Sequence, residues 1–176
     1  MKPTGIVRRI DELGRVVIPK EIRRTMHIRE GAPLEIFTDS DGVMFKKYSP
    51  VEEIAHLASA FAEAANRATG MAIAVCDLDC VIAAAGIPKK EVLQKPVSHE
   101  ICELYDRRSA FEAKTGDACI KLLQDGACEV LYALPIISDG SLLGCIAAVK
   151  RSQNDLIGEL CKKVLTIGAT FLGTQI

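Results

Sequence analysis

The sequence predicts an α+β protein in two parts. A β-β-α-β-β head fills positions 1–50, and a larger body, 51–176, sets two long helices around an antiparallel sheet. Three observations carry this. Two turn-forming clusters, Asp11-Glu12-Leu13-Gly14 and Asp39-Ser40-Asp41-Gly42, each sit between β-prone runs on either side of one short helical segment. Two stretches near the ends of the body repeat apolar residues at 3,4,3,4 spacing. Charge also divides at the same place: residues 1–48 hold ten Lys/Arg and seven Asp/Glu, whereas the remainder holds twelve and sixteen. A near-neutral chain therefore joins a basic head to an acidic body, which points to a polyanion partner at one end.

Composition narrows the class. The chain has 176 residues, 49% hydrophobic and 26% charged, as expected of one domain or two small ones. No stretch approaches the roughly 18 uninterrupted apolar residues of a spanning helix. The opening MKPTGIVRRIDELGR lacks a signal-peptide core, so the cytoplasm is the expected compartment. All seven cysteines lie in the body, mostly inside apolar runs, and an odd number there suits reduced buried thiols. With no Trp and 5% aromatics, a base-stacking surface for single strands is disfavoured.

In the head, Gly5–Ile10 and Arg15–Ile18 read as strands returning through the first cluster, where Gly14 supplies the positive φ of a tight turn. Pro19 opens a helix at its first position, and Ile22 and Met26 share one face of it. Leu34–Thr38 and Val43–Tyr48 form a second hairpin. Two hairpins and a two-turn helix bury too little apolar surface alone, which predicts an interleaved dimer with one shared core. Two-fold symmetry would duplicate the basic set Arg8, Arg9, Arg15, Lys20, Arg23 and Arg24 for a roughly symmetric duplex. Guanidinium forks suit phosphate oxygens and guanine edges. Asp11 and Glu12 blunt non-specific attraction and are placed to orient the arginines by ion pairing.

The run TGIVRRIDELGRVVIPKEIRRTMHIREGAPLEIF, with FKKYSP after it, resembles the AbrB-type DNA-binding domain of transition-state and sporulation regulators. The resemblance spans 3–50 and implies a swapped-hairpin β-barrel, dimeric with interlaced chains. It implies DNA contacts at Arg8, Arg9, Arg15, Arg23 and Arg24. Lys20 stands where the family has an apolar residue and reads as an added phosphate contact. His27 reads as structural or solvated.

Ser49-Pro50-Val51-Glu52 is a helix-start signature, and the connecting helix it opens runs over 51–69 to a stop at Gly70. Ile54, Leu57, Phe61, Ala64 and Ala68 form its apolar seam. Hairpins follow at Met71–Asp77 with Cys80–Ala84, and at Glu129–Ile137 with Leu142–Lys150. Residues 88–108 read as helical or irregular. A last helix from about Asn154 to Gly173 aligns Ile157, Leu160, Val164, Ile167 and Phe171. Either seam alone reads as intradomain core; two of them raise the expectation that one pairs with another subunit.

The element order, with LPIISDGSLLGCIAAVK as its penultimate hairpin, resembles a GAF domain, the small-molecule sensor fold. Joined to an AbrB-like head, it resembles a family of sporulation regulators. That implies a transcription regulator, activator and repressor, of forespore genes, tetrameric through sensor-domain helices. An effector would lie beneath residues 86–128, where Lys89, Lys90, Lys95, His99 and Arg108 are among the candidates, but the residues select neither a ligand nor a binding set. A purely structural oligomerisation body is the plain alternative. Two rival functions compete. An antitoxin-type repressor would share the head but end in a short disordered tail. A cysteine redox enzyme would need a low-pKa thiolate beside a resolving thiol, for which Cys76 with Cys80 and Cys119 with Cys128 are the candidate pairs. No metal is expected, since no C-x-x-C or H-x₃₋₅-H occurs, and no phosphate-cradling Gly-rich motif occurs either.

Overall fold

A computed structural model describes residues 4–26, 28, 30–40, 42–48, 54–113, 119–152 and 155–175. The chain separates into two compact units, 1–48 and 49–176.

In the first unit, α1 (Lys20–Thr25) precedes an antiparallel hairpin of β1 (Leu34–Asp39) and β2 (Gly42–Lys47), in register from Leu34↔Lys47 to Asp39↔Gly42. Pro19 is the N-cap rather than the first helical residue: its ψ of 147° is extended, and the helix starts at Lys20. The expected strands 5–10 and 15–18 are not laddered within one chain. Their turn closes, with Asp11 N–H donating to Arg15 O at 3.1 Å and Gly14 N–H to Asp11 O at 3.0 Å. Beyond the turn the arms run on unpaired by any strand, with Val7 86%, Ile10 68% and Val17 72% exposed. A two-stranded ribbon without a third layer is marginal, so the arms lack what a folded strand needs: a neighbour and a covered face.

The second unit is built around a six-stranded antiparallel sheet. Its helix α2 (Ala55–Thr69) leads to β3 (Ala72–Cys76) and β4 (Val81–Ala85). Then come α3 (Lys89–Val92), α4 (His99–Arg107), β5 (Phe111–Glu112) and β6 (Ile120–Lys121). The hairpin β7 (Glu129–Ser138) and β8 (Ser141–Val149) is followed by α5 (Glu159–Gly173). Strand order is β4-β3-β8-β7-β5, with β6 also on β7. Alternation sends Ile73, Val75, Ile146 and Ala148 to one core with α2 and α5, and Ala72, Ala74, Cys145 and Ala147 to a second core under α4. Both faces are covered, so β3 and β8 read as nearly continuous apolar runs.

Helix ends follow their chemistry. Gly70 stops α2 as expected, in the left-handed region at φ 72° with its N–H on Asn66 O at 2.8 Å. The Ser49–Glu52 start signature lies outside the described residues. The last helix begins at Glu159, later than expected, because Asp155 closes a turn first: its carboxylate accepts from the Arg151 and Ser152 N–H groups and the Ser152 hydroxyl.

The two predicted seams face the sheet only in part: Ile54 is buried in the core, and Leu57, Phe61, Ile157 and Val164 pack against it. On α2 the buried face is Ala58, Ala62 and Ala65, while Ala64 and Ala68 are exposed. On α5 it is Cys161, Leu165, Gly168, Ala169 and Leu172, while Leu160 (62%), Ile167 (67%) and Phe171 (41%) face outward. Small residues line the inner faces because the helices sit close. A Cβ on Gly168 would come within 2.0 Å of the Phe61 ring, and one on Gly173 within 2.5 Å of Ile137 O.

Candidate nucleic-acid interface

The basic side chains of the head are carried on two pieces of scaffold. Arg8 and Arg9 lie on the first arm, exposed, and Arg8 Nη1 donates to Val7 O at 3.2 Å. Arg15 leaves the turn. That turn is organised by Asp11, whose Oδ1 accepts from Leu13 N–H (3.0 Å) and Arg15 N–H (2.8 Å) while Oδ2 accepts from Arg15 Nε at 2.7 Å. Gly14, at φ 76°, takes the left-handed position a side chain would strain. The Arg15 backbone N–H, then its guanidinium, hold the Asp11 carboxyl below its ordinary value. The sequence suggested that the turn carboxylates orient the arginines; the structure assigns that grip to Asp11 on Arg15.

Lys20 opens α1 and is exposed; Arg23 and Arg24 occupy its last turn. Arg24 is exposed. Arg23 is half-buried, and its Nε is shut off from solvent with no hydrogen-bond partner among the described residues. A buried donor left unmade costs more than a made bond gains. His27 lies outside the described residues.

Beneath residues 86–128, where resemblance placed an effector, the face is filled by Ile101, Tyr105, Leu122 and Leu123. A shallow pocket of about 280 Å³ survives beside the Lys95–Asp125 ion pair of 3.2 Å. The larger cleft, about 720 Å³, lies on the opposite side, between the second half of α5, the end of β7 and Arg108. Arg108 Nη1 is tied there to Gly140 O at 2.7 Å.

Cys76 and Cys145 face each other across β3 and β8, fully buried. Their mutual hydrogen bond and burial push the Cys76 thiol well up, the opposite of an activated nucleophile. Cys80 Sγ donates toward Asp77 Oδ2 and toward Gln94 Oε1, each at 3.8 Å. Burial also raises Cys128 and Cys161. Among the described residues, no group of three or more His, Cys, Asp or Glu side chains could hold a metal ion.

Comparison with known proteins decides the family. Residues 53–176 match the family model described as stage V sporulation protein T C-terminal, transcription factor. Over 99% of its length the chain is 43% identical to stage V sporulation protein T of Bacillus subtilis (strain 168), covering 98% of that protein. The chain belongs to the stage V sporulation protein T family. In this family member the head also matches the model for MazE, a bacterial antitoxin, over 7–52. Across 50 residues, 28% of the chain and 52% of the relative, it is 60% identical to the transition state regulatory protein AbrB of Bacillus subtilis (strain 168). The body of the stage V sporulation protein T relative has the GAF fold. It superposes on the GAF domain of an Acinetobacter phosphoenolpyruvate-protein phosphotransferase at 12% identity and TM-score 0.52, covering 71% of this chain and 86% of that one. A folded body of the family's own type, in place of a short disordered tail, separates the chain from the antitoxin reading.

Proposed function

We propose that the head grips double-stranded DNA with Arg8, Arg9, Arg15, Lys20, Arg23 and Arg24, as a sequence-specific regulator of sporulation genes, activating some promoters and repressing others. Family membership and the 60% identity to AbrB across the head support this reading. The observation that carries it is the unfinished head: arms with exposed Val7, Ile10 and Val17 bear exposed arginines. A second copy that pairs the arms covers the apolar residues and sets twelve cations in two symmetric groups. Phosphate contacts then supply affinity, and a subset of base contacts supplies sequence preference.

The body's part is assembly. Leu160, Ile167 and Phe171 face outward on α5 at the 7- and 4-residue spacing of a helix–helix seam, and covering Leu160 and Ile167 would contribute about 1.5–3 kcal/mol each. Swapped dimers through the head and a second pairing through α5 make a homotetramer. The 720 Å³ cleft, rather than the filled face under 86–128, is the place for a small effector. The Cys76 thiol, buried against Cys145 and pushed well up, supports a non-enzymatic role, and the setting proposed is the forespore cytoplasm.

Titrating the full chain against salt with a preferred and a scrambled duplex tests this. Binding that falls steeply with salt, with the slope reduced by about 2 per dimer in Arg24→Ala, is expected. Salt-insensitive or absent binding to both duplexes overturns it.

A further inference from the structure

We propose that Asp11 is a positioning residue that presents Arg15 to a guanine edge in the major groove, making Arg15 a base reader of the head. This rests on the DNA-binding reading above and deepens it.

The geometry is that of a buttress. Asp11 Oδ1 is fixed by two backbone donors, Leu13 N–H and Arg15 N–H, so the carboxylate cannot swing away from the turn. Its Oδ2 takes the guanidinium at Nε, 2.7 Å away. A guanidinium bound at Nε keeps its two terminal nitrogens in one plane, pointing away from the carboxylate. The Arg15 side chain is 70% exposed. Two coplanar N–H donors match the O6 and N7 acceptors of guanine.

Charge distinguishes this from a phosphate contact. A carboxylate directly behind a phosphate-binding arginine would repel the same phosphate and weaken the contact it orients. A base edge is neutral, so the carboxylate there fixes direction at little electrostatic cost. Among the described residues the other head arginines show no such carboxylate hold: Arg8 donates to the neighbouring Val7 carbonyl, and the buried Arg23 Nε has no partner there. Arg15 is thus the preorganised fork of the set, and preorganisation is what a bidentate contact rewards.

The test uses the full-length protein. A duplex is selected from a randomised pool by the wild type and paired with a scrambled duplex of equal composition. Asp11→Asn retains an oxygen for the turn's backbone donors but loses the charge on Arg15. The ratio of selected to scrambled affinity is expected to fall about tenfold, through weaker binding of the selected duplex alone. Replacing each guanine in turn by 7-deazaguanine removes N7. One guanine per half-site should lose its effect in Arg15→Ala while the others keep theirs. Arg15→Lys leaves Asp11 and the charge in place but removes the fork, so the ratio should fall with the salt slope unchanged; this variant decides the matter if Asp11→Asn fails to fold.

If Asp11→Asn tightens both duplexes equally, Asp11 merely repels DNA and the proposal is overturned. The same holds if Arg15→Ala keeps every 7-deaza effect. Failure of the wild type itself to bind either duplex would instead bring down the DNA-binding reading.

Discussion

The head and the body solve the same problem, covering apolar surface, in opposite ways. The body covers both faces of its sheet from its own sequence: Ile73, Val75 and Ile146 are shut against α2 and α5, and Tyr105, Leu122 and Leu123 close the other side. In the head, Ile6, Val7, Ile10, Leu13, Val16 and Val17 all stand exposed, and among the described residues the hydrophobic core clusters begin at Ile54. The body is complete as one chain apart from a single helix face. The head leaves its apolar arms open within one chain, which is why a second copy is proposed to cover them.

The largest break in that contrast should come from Val17→Asp. On a finished monomer, a change at an exposed position shifts stability by about 0.5 kcal/mol or less. If the arm is covered by a partner, the new carboxylate is buried unpaired at a cost of several kcal/mol. DNA binding should then fall at least about a hundredfold, as read by fluorescence anisotropy. Unchanged binding would show that the arm stays open.

Gly144→Ala attacks the other side. A Cβ there would sit 2.0 Å from Cys76 O and 2.9 Å from the Asp77 Cα, both backbone atoms that cannot yield cheaply. Overpacking of about 3 kcal/mol should lower the body's thermal transition by roughly 10 °C in calorimetry, with the head's own transition unmoved. A uniform shift of both transitions would mean that the two units melt as one.

Leu160→Lys combined with Ile167→Lys changes two outward residues of α5. The native mass by light scattering should halve while the melting of each body changes by only a degree or two, since the positions contribute little within one chain. A tetramer that survives both lysines places the second interface elsewhere.

The smallest effect is in acid. Lys121 and then Lys150 hold the Glu129 carboxyl below its ordinary value. Its contribution is therefore present above the unfolded glutamate value and is lost as pH falls through the depressed one. Glu129→Gln should slightly lower urea stability at neutral pH and match the wild type at the acid end; a difference that persists in acid would assign the effect to packing.

Turns, caps and pairing were largely legible in the sequence. Asp39–Gly42 set the β1–β2 register, Gly70 ended α2, and Ser138-Asp139-Gly140-Ser141 joined β7 to β8. These are local signals, written in residues whose backbone preferences are strong. Orientation of the helices was not legible. The 3,4 pattern on α5 picks out Leu160, Ile167 and Phe171, which face outward, whereas the sheet-facing side sets Leu165 and Leu172 among Cys161, Gly168, Ala169 and Gly173, small residues that let the helix approach closely. The same holds for the alanines of α2. At the candidate site the arginines were visible as charge, yet the hierarchy among them was not. The Asp11–Arg15 grip depends on where one carboxylate points, and the buried Arg23 Nε depends on tertiary enclosure.

The outward stripe on α5 has a consequence for how such a regulator would respond to its own abundance. In the proposed tetramer, two self-complementary faces, one on each unit, would make assembly a two-step function of concentration. At low copy number only the tighter pairing would be filled, and the weaker one would close over a narrow range of dose. Promoter occupancy by a four-headed species then rises more steeply than the protein level itself, so a modest increase in expression would act as a threshold. Weakening α5 by a single outward residue would retune that threshold without altering which sequence the heads prefer.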